Sequence, residues 1–164
     1  MSVILNSQQI EQRINRIAYQ IYEDNFEEKE IIFAGIVRSG YILAQRVQQA
    51  FDKICSIKTH LIELHIDKNL QAQQDVHLAL PASDLKDHVV ILVDDVLNSG
   101  KTLTYALRPF LNADVRKIRT VLLVDRDHKR YPVFADYTGL RLSTTLREHV
   151  TVDLTPGSEC VTLT

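Results

Sequence analysis

Residues 89–103, VVILVDDVLNSGKTL, constrain this chain more than any other stretch. The run VVILV (89–93) is apolar, rich in β-branched side chains and too short for a helix, so it predicts a buried strand. It ends in two adjacent aspartates, Asp94 and Asp95. Carboxylates at a strand end repel each other and lose hydration unless a cation or a hydrogen-bond donor meets them. The vicinal hydroxyls of a ribose, or a Mg²⁺ ion, would meet them. Next comes a turn containing Gly100, then a helix predicted from near Lys101 to Asn112. The free N–H groups and positive dipole end of such a helix favour a phosphate, and the hydroxyls of Ser99 and Thr102 add hydrogen bonds. The stretch is laid out to hold a sugar that carries a phosphate. Its Ser-Gly-Lys-Thr suggests a nucleoside-triphosphate loop, but that motif needs glycine five residues before Gly100, where Asp95 stands.

The flanking pattern predicts how the stretch is carried. Ile10, Ile14, Ile17, Ala18 and Ile21 recur at helical spacing, with Asn6 or Ser7 as the cap. IIFAGIV (31–37) predicts a buried strand, YILAQRVQQAF (41–51) a helix, SIKTHLIELHI (56–66) a strand and IRTVLLVD (118–125) another. PVFADY and HVTVDL are short alternating segments beyond it. The charged run EEKE (27–30) reads as a solvated helix end. Residues 67–88 are polar, without clear period, and contain Pro81. A stretch of that kind in a compact domain predicts a flexible loop or lid. Strands alternating with helices imply a three-layer α/β/α fold with a mostly parallel central sheet, in one domain spanning 1–164. Ligands of such sheets sit outside the carboxyl ends of the strands, where Arg38, Asp94, Asp95 and Asp125 fall.

Composition excludes several classes. Lys and Arg total 19 against 21 acidic residues, so net charge gives no sign of nucleic-acid binding. Cys55 and Cys160 have no metal-ligand spacing and read as reduced thiols. The start, MSVILNSQQIEQR, lacks the pattern of a signal peptide, and no apolar run is long enough to cross a membrane. A soluble, cytoplasmic protein without membrane contact is expected.

VVILVDDVLNSGKTL also resembles the phosphoribosyl-diphosphate (PRPP) motif of type I phosphoribosyltransferases. FAGIVRSGYILAQRV (33–47) is similar to that family's pyrophosphate loop with its flanks, and SQQIEQRINRIAYQIYEDN (7–25) to its first helix. VLLVDRDHKRYPVFADYTGLRLST (121–144) is similar to the PyrR branch, uracil phosphoribosyltransferases that also regulate pyrimidine operons. The resemblance implies that Asp94 and Asp95 engage the ribose hydroxyls, directly or through Mg²⁺, and that Val96, Leu97, Asn98, Ser99, Gly100, Lys101 and Thr102 wrap the 5′-phosphate. It implies a pyrophosphate loop at Val37, Arg38 and Ser39, with Arg38 neutralising charge. It implies a hood at about 126–149 over the base, with Tyr137 stacking on the ring, Asp125 and Arg126 at the entrance, and backbone near Thr138 reading the base edge. His128 is either structural or part of that pocket. A homodimer or larger homo-oligomer is implied as well.

Departures from the family pattern point to the substrate. Purine-specific members carry an aspartate where this chain has Asn98, and it handles the base's proton. Asparagine is no general base, so a pyrimidine base, uracil, is expected to give UMP. IELHIDKN (62–69) stands where PyrR proteins have arginine followed by acidic residues. Their first helix carries basic residues that help contact mRNA. Here Arg13 and Arg16 face Glu11, Glu23 and Asp24 on it, which disfavours RNA because RNA affinity rests on phosphate neutralisation. Two other readings stand beside the enzyme: an RNA-binding regulator of pyrimidine genes, and a PRPP- or nucleotide-binding homologue with little turnover.

Overall fold

Asn6 opens the first helix as a cap should. Its side-chain oxygen accepts from the Gln9 N–H at 2.9 Å, and the Gln9 side chain accepts from the Asn6 N–H in return. This exchange satisfies donors that a helix start leaves unpaired. In the computed structural model, which describes residues 1–66 and 76–164, the elements follow in order. They are β1 (Ser2–Asn6), α1 (Ser7–Asn25), β2 (Glu30–Ile36), α2 (Ser39–Asp52), β3 (Lys58–Ile66), β4 (Val76–Leu78), β5 (Val89–Leu97), α3 (Lys101–Asn112), β6 (Lys117–Asp125), β7 (Tyr137–Arg141), β8 (Val150–Asp153) and β9 (Cys160–Leu163).

A six-stranded sheet runs β4-β3-β2-β5-β6-β7, parallel throughout except for β4 at one edge. Successive side chains of a strand face opposite sides, and the core divides accordingly. Ile31, Phe33, Ile91 and Val93 pack under α1 and α2, against Ile14, Ile17, Leu43, Val47 and Phe51. Ile32, Ala34, Val90 and Leu92 pack under α3, against Leu103, Ala106 and Phe110. Because helices cover both faces, β2 and β5 are continuous apolar runs rather than alternating ones. The expected three-layer α/β/α fold is the observed one.

Four local expectations are corrected. The hood expected at 126–149 is not one unit. Residues 137–141 form β7, the last strand of the main sheet, and a separate three-stranded antiparallel sheet, β1-β9-β8, joins the two ends of the chain. PVFADY is accordingly not a strand; pairing with β6 begins only at Tyr137. The flexible segment expected at 67–88 carries structure from Val76 onward. Val76 and Leu78 pair with Ile66 and Leu64, and Leu85 is fully buried on the α3 side. The remainder of that expectation, 67–75, lies outside the described residues. Finally, EEKE is not a solvated helix end, since α1 stops at Asn25 and Glu30 begins β2. Glu28 pairs with Arg116, and Glu30 gathers His60, His88 (3.2 Å) and Lys58 (3.2 Å). Hydrogen bonds from His60 first, then Lys58 and His88, hold the Glu30 carboxyl down at about 2.

Candidate active site

The order of the sheet fixes where a ligand can sit. From β2 the chain crosses to β3 on one side, whereas from β5 it crosses to β6 and β7 on the other. The carboxyl ends of the adjacent strands β2 and β5 thus form a switch point, the usual crevice of an open α/β sheet. The segment 37–40, a turn running into the first turn of α2, leaves one strand there and the loop 98–100 leaves the other.

The first of these segments is tied to the strands beside it. A Cβ on Gly40 would lie 3.0 Å from Asp94 Oδ1 and from the Val93 carbonyl, so glycine lets the 37–40 segment close on β5 without displacing either. The Val37 N–H donates to the Leu64 carbonyl at 2.9 Å, tying the loop to β3. Arg38, exposed at the start of α2, has φ 76°, ψ −123°. A non-glycine residue there is strained, and such strain collects at ligand clamps.

Asp94 is buried and Asp95 half-buried. The Asp95 N–H donates to Asp94 Oδ1 at 2.9 Å and the Val96 N–H to Asp95 Oδ1 at 2.8 Å, which orients both carboxylates. Gly100 has φ 84° where the strand turns into α3, and a Cβ there would strike Val133 Cγ2 at 2.6 Å. Ser99 is pinned from both sides. Its carbonyl accepts from the Arg130 and Tyr131 N–H groups at 2.8 and 3.1 Å, and its hydroxyl accepts from the Lys101 N–H at 3.3 Å. The first turn of α3 has no carbonyl within the helix for its N–H groups, as at any helix start. Asp94 through Thr102 line one cavity of about 180 Å³, and Leu103, Leu122 and Val150 complete it. Val150 reaches it from β8, so the small sheet covers part of this cavity.

The residues expected around a base are dispersed. Tyr137 pairs with Val121, well before the carboxyl end of β6, and is 7 % exposed. Its hydroxyl donates to the Asp24 carboxylate; burial first, then that bond, pushes the phenol up. The same bond is the leading reason the Asp24 carboxyl is held below its ordinary value. Tyr137 is a core residue of the α1 side, not a ring placed at the cavity. Backbone near Thr138 is also spent: the Thr138 carbonyl accepts from Arg16 at 2.7 Å, and the Gly139 carbonyl from Arg16 at 2.8 Å and Arg13 at 3.2 Å. Asp125 is buried, accepts from the Asp127 N–H at 2.9 Å and pairs with Lys129 at 3.3 Å. It lines a neighbouring cavity of about 320 Å³ with Lys129, Phe134 and Arg141. Arg126 donates to Asn98 and to the 144–148 segment, and His128 bonds to Thr144. Gly40 and Val150 escaped the sequence reading. Gly40 follows Ser39 directly and carried a spacing signal; Val150 carried none, since its place depends on the small sheet.

The donor set suits Mg²⁺. That ion takes oxygen ligands, commonly one or two protein carboxylates with substrate phosphate oxygens and water. Asp94 and Asp95 supply the carboxylates at the cavity. Among the described residues no group of three or more His, Cys, Asp or Glu is arranged to hold a metal ion. A metal here would therefore be held largely by the ligand.

The chain is similar to known proteins in sequence and in fold. A family model described as a phosphoribosyl transferase domain matches residues 1–155. The chain is similar to the "Bifunctional protein PyrR" of Haemophilus ducreyi, 34% identical over 157 residues, covering 92% of this chain and 88% of that one. It is 35% identical to the protein so named in Alkaliphilus metalliredigens, over 92% of this chain and 87% of that one. Among solved structures, a hypoxanthine phosphoribosyl transferase of Trypanosoma cruzi has TM-score 0.82 at 17% identity, covering 98% of this chain and 89% of that one. One from Staphylococcus aureus has TM-score 0.80 at 15% identity, covering 98% and 90%. At such identities the structures speak for the fold alone.

Proposed function

This chain belongs to the phosphoribosyltransferase family, and from that premise we propose that it transfers the phosphoribosyl group of PRPP to uracil, giving UMP and pyrophosphate. The observation that carries this reading is the cavity shared by the Asp94–Asp95 pair and the start of α3, with Asp94 itself packed against Gly40 in the first turn of α2. In the reaction a ring nitrogen of the base bonds to the anomeric carbon, the bond from that carbon to pyrophosphate oxygen breaks, and the nitrogen's proton leaves to water. Positive charge develops on the sugar, so charge handling dominates.

Each part of the cavity has a task in this scheme. N–H groups of the first turn of α3, with the Ser99 and Thr102 hydroxyls, hold the 5′-phosphate. Asp94 and Asp95 accept from the ribose hydroxyls, and both are pre-oriented by backbone N–H groups. Val37, Arg38 and Ser39 hold the pyrophosphate, Arg38 countering its charge. Bound Mg²⁺, held by Asp94, Asp95 and the diphosphate, would stabilise the departing negative charge. Val150 covers the cavity and excludes water that would hydrolyse PRPP.

A regulator reading draws on the word "bifunctional" in the relatives' name. Against RNA binding through α1, Arg13 and Arg16 are already engaged by backbone carbonyls of β7. The test is incubation with PRPP, Mg²⁺ and a panel of labelled bases. UMP formation, abolished by Asp94→Asn with Asp95→Asn, is the expected result. PRPP binding without nucleotide product from any base would refute transfer.

A further inference from the structure

Asn98 and Arg126 meet where the phosphate loop touches the segment after β6. The Arg126 side chain is buried, and its bonds go to protein. Nε donates to Thr144 Oγ1 at 3.0 Å, one terminal nitrogen to Asn98 Oδ1 at 2.8 Å, and the other to the carbonyls of Thr145 (3.3 Å) and Glu148. A guanidinium has donors only, so the Asn98 atom that meets it must be the oxygen. That settles the orientation of the amide: its oxygen is turned to Arg126, and its NH₂ is the group Asn98 turns elsewhere. Asn98 lines the cavity of Asp94 and Thr102, and among the described residues that NH₂ has no protein acceptor.

Stability alone does not explain the asparagine. Aspartate at this position would form a charge-assisted bond with Arg126, stronger than the one an amide makes. The amide forgoes that gain and keeps a donor at the cavity. The same arginine holds the 144–148 segment, which runs directly into Val150, the residue covering the cavity. One buried side chain thus sets both the polarity of the loop at position 98 and the position of the cover.

Building on the transfer reading above, we propose that Arg126 is a positioning residue that locks Asn98 as a hydrogen-bond donor toward the base. The site then selects a base that presents a carbonyl there, a pyrimidinedione, over a purine whose ring N–H needs an acceptor in the same place. Arg126 touches neither base nor phosphate in this scheme; it acts through Asn98.

The test compares wild type with Asn98→Asp and Arg126→Lys, reading kcat/KM for uracil and hypoxanthine and the affinities for UMP and IMP. Asn98→Asp keeps a partner for Arg126, so it should fold and melt no lower than wild type. It should lower the uracil-to-hypoxanthine ratio by about ten- to hundredfold, the worth of replacing a matched hydrogen bond by an opposed one. Arg126→Lys, which lacks the planar fork, should lower the same ratio while PRPP affinity holds. A ratio unmoved in both variants, or both bases falling together, overturns the proposal. A wild type that binds neither PRPP nor any nucleoside monophosphate overturns the transfer reading and this proposal with it. Intact binding of both, with a selectivity indifferent to position 98, overturns this proposal alone.

Discussion

Gly40→Ala probes the joint between the two halves of the site. Gly40 has no Cβ, and one built there meets Asp94 Oδ1 and the Val93 carbonyl at 3.0 Å and Asp94 Cα at 3.2 Å. Those neighbours must give by a few tenths of an ångström. The Val93 backbone lies in mid-sheet, paired with Gly35 and Val121, and yields least. The 37–40 loop and the Asp94 carboxylate therefore move apart. Overpacking of this kind costs about 1–3 kcal/mol, and the better helix propensity of alanine offsets up to about 1 kcal/mol. A net loss of about 1 kcal/mol lowers Tm by about 2–4 °C for a chain of this size. Binding is hit harder, because a displaced carboxylate loses an oriented hydrogen bond to the ribose, worth about 1.5–3 kcal/mol. PRPP affinity, measured by calorimetric titration with Mg²⁺, should fall roughly ten- to hundredfold. A variant with wild-type PRPP affinity would show that the loop and Asp94 do not act as one site.

Gly100→Ala combines a φ of 84° with a 2.6 Å contact on Val133; it should cost about 1–3 kcal/mol and abolish UMP binding in the same titration. Tyr137→Phe removes a bond to the Asp24 carboxylate, which keeps Arg119 at 2.9 Å. A loss of about 1–2 kcal/mol should appear in urea melts with KM for the base unchanged, whereas a raised KM would return Tyr137 to the base site. Glu30 titrates at about 2 when folded and near 4.5 by its ordinary value. Its folded pKa is depressed, so its contribution is complete above about pH 4.5 and is lost as pH falls toward 2. Urea midpoints should therefore drop across that window in wild type and less in Glu30→Gln; equal slopes would remove Glu30 from the account.

Long, strongly patterned elements were legible in the sequence, and elements defined by partners were not. The β5 run and the α1 stripe are local signals, because burial on both faces or on one stripe writes itself into consecutive residues. β4, β1 and β9 are short strands of three to five residues whose pairing lies far along the chain or across an edge. Nothing within three residues announces an antiparallel partner. The charged EEKE misled for a related reason: Glu30 looks solvated alone, and its value comes from His60 on β3 and His88 just before β5.

The site divides along the same line. Asp94, Asp95 and the turn at Gly100 are contiguous, so their place around one cavity was readable as one phrase, and the turn at Arg38 followed from its place after a buried strand. The base side depends on which face of β7 looks where. Tyr137 and Gly139 are buried while Thr138 and Leu140 are half-buried, an alternation that suits either a stacking ring or a core ring until α1 is placed. The Tyr137 hydroxyl on Asp24 decides it for the core. That outcome shifts the recognition of the base from an aromatic platform to the polar pair behind the phosphate loop. Selectivity here then rests on the direction of one amide, and an amide's direction is set by its neighbour, a relation no single-residue motif records.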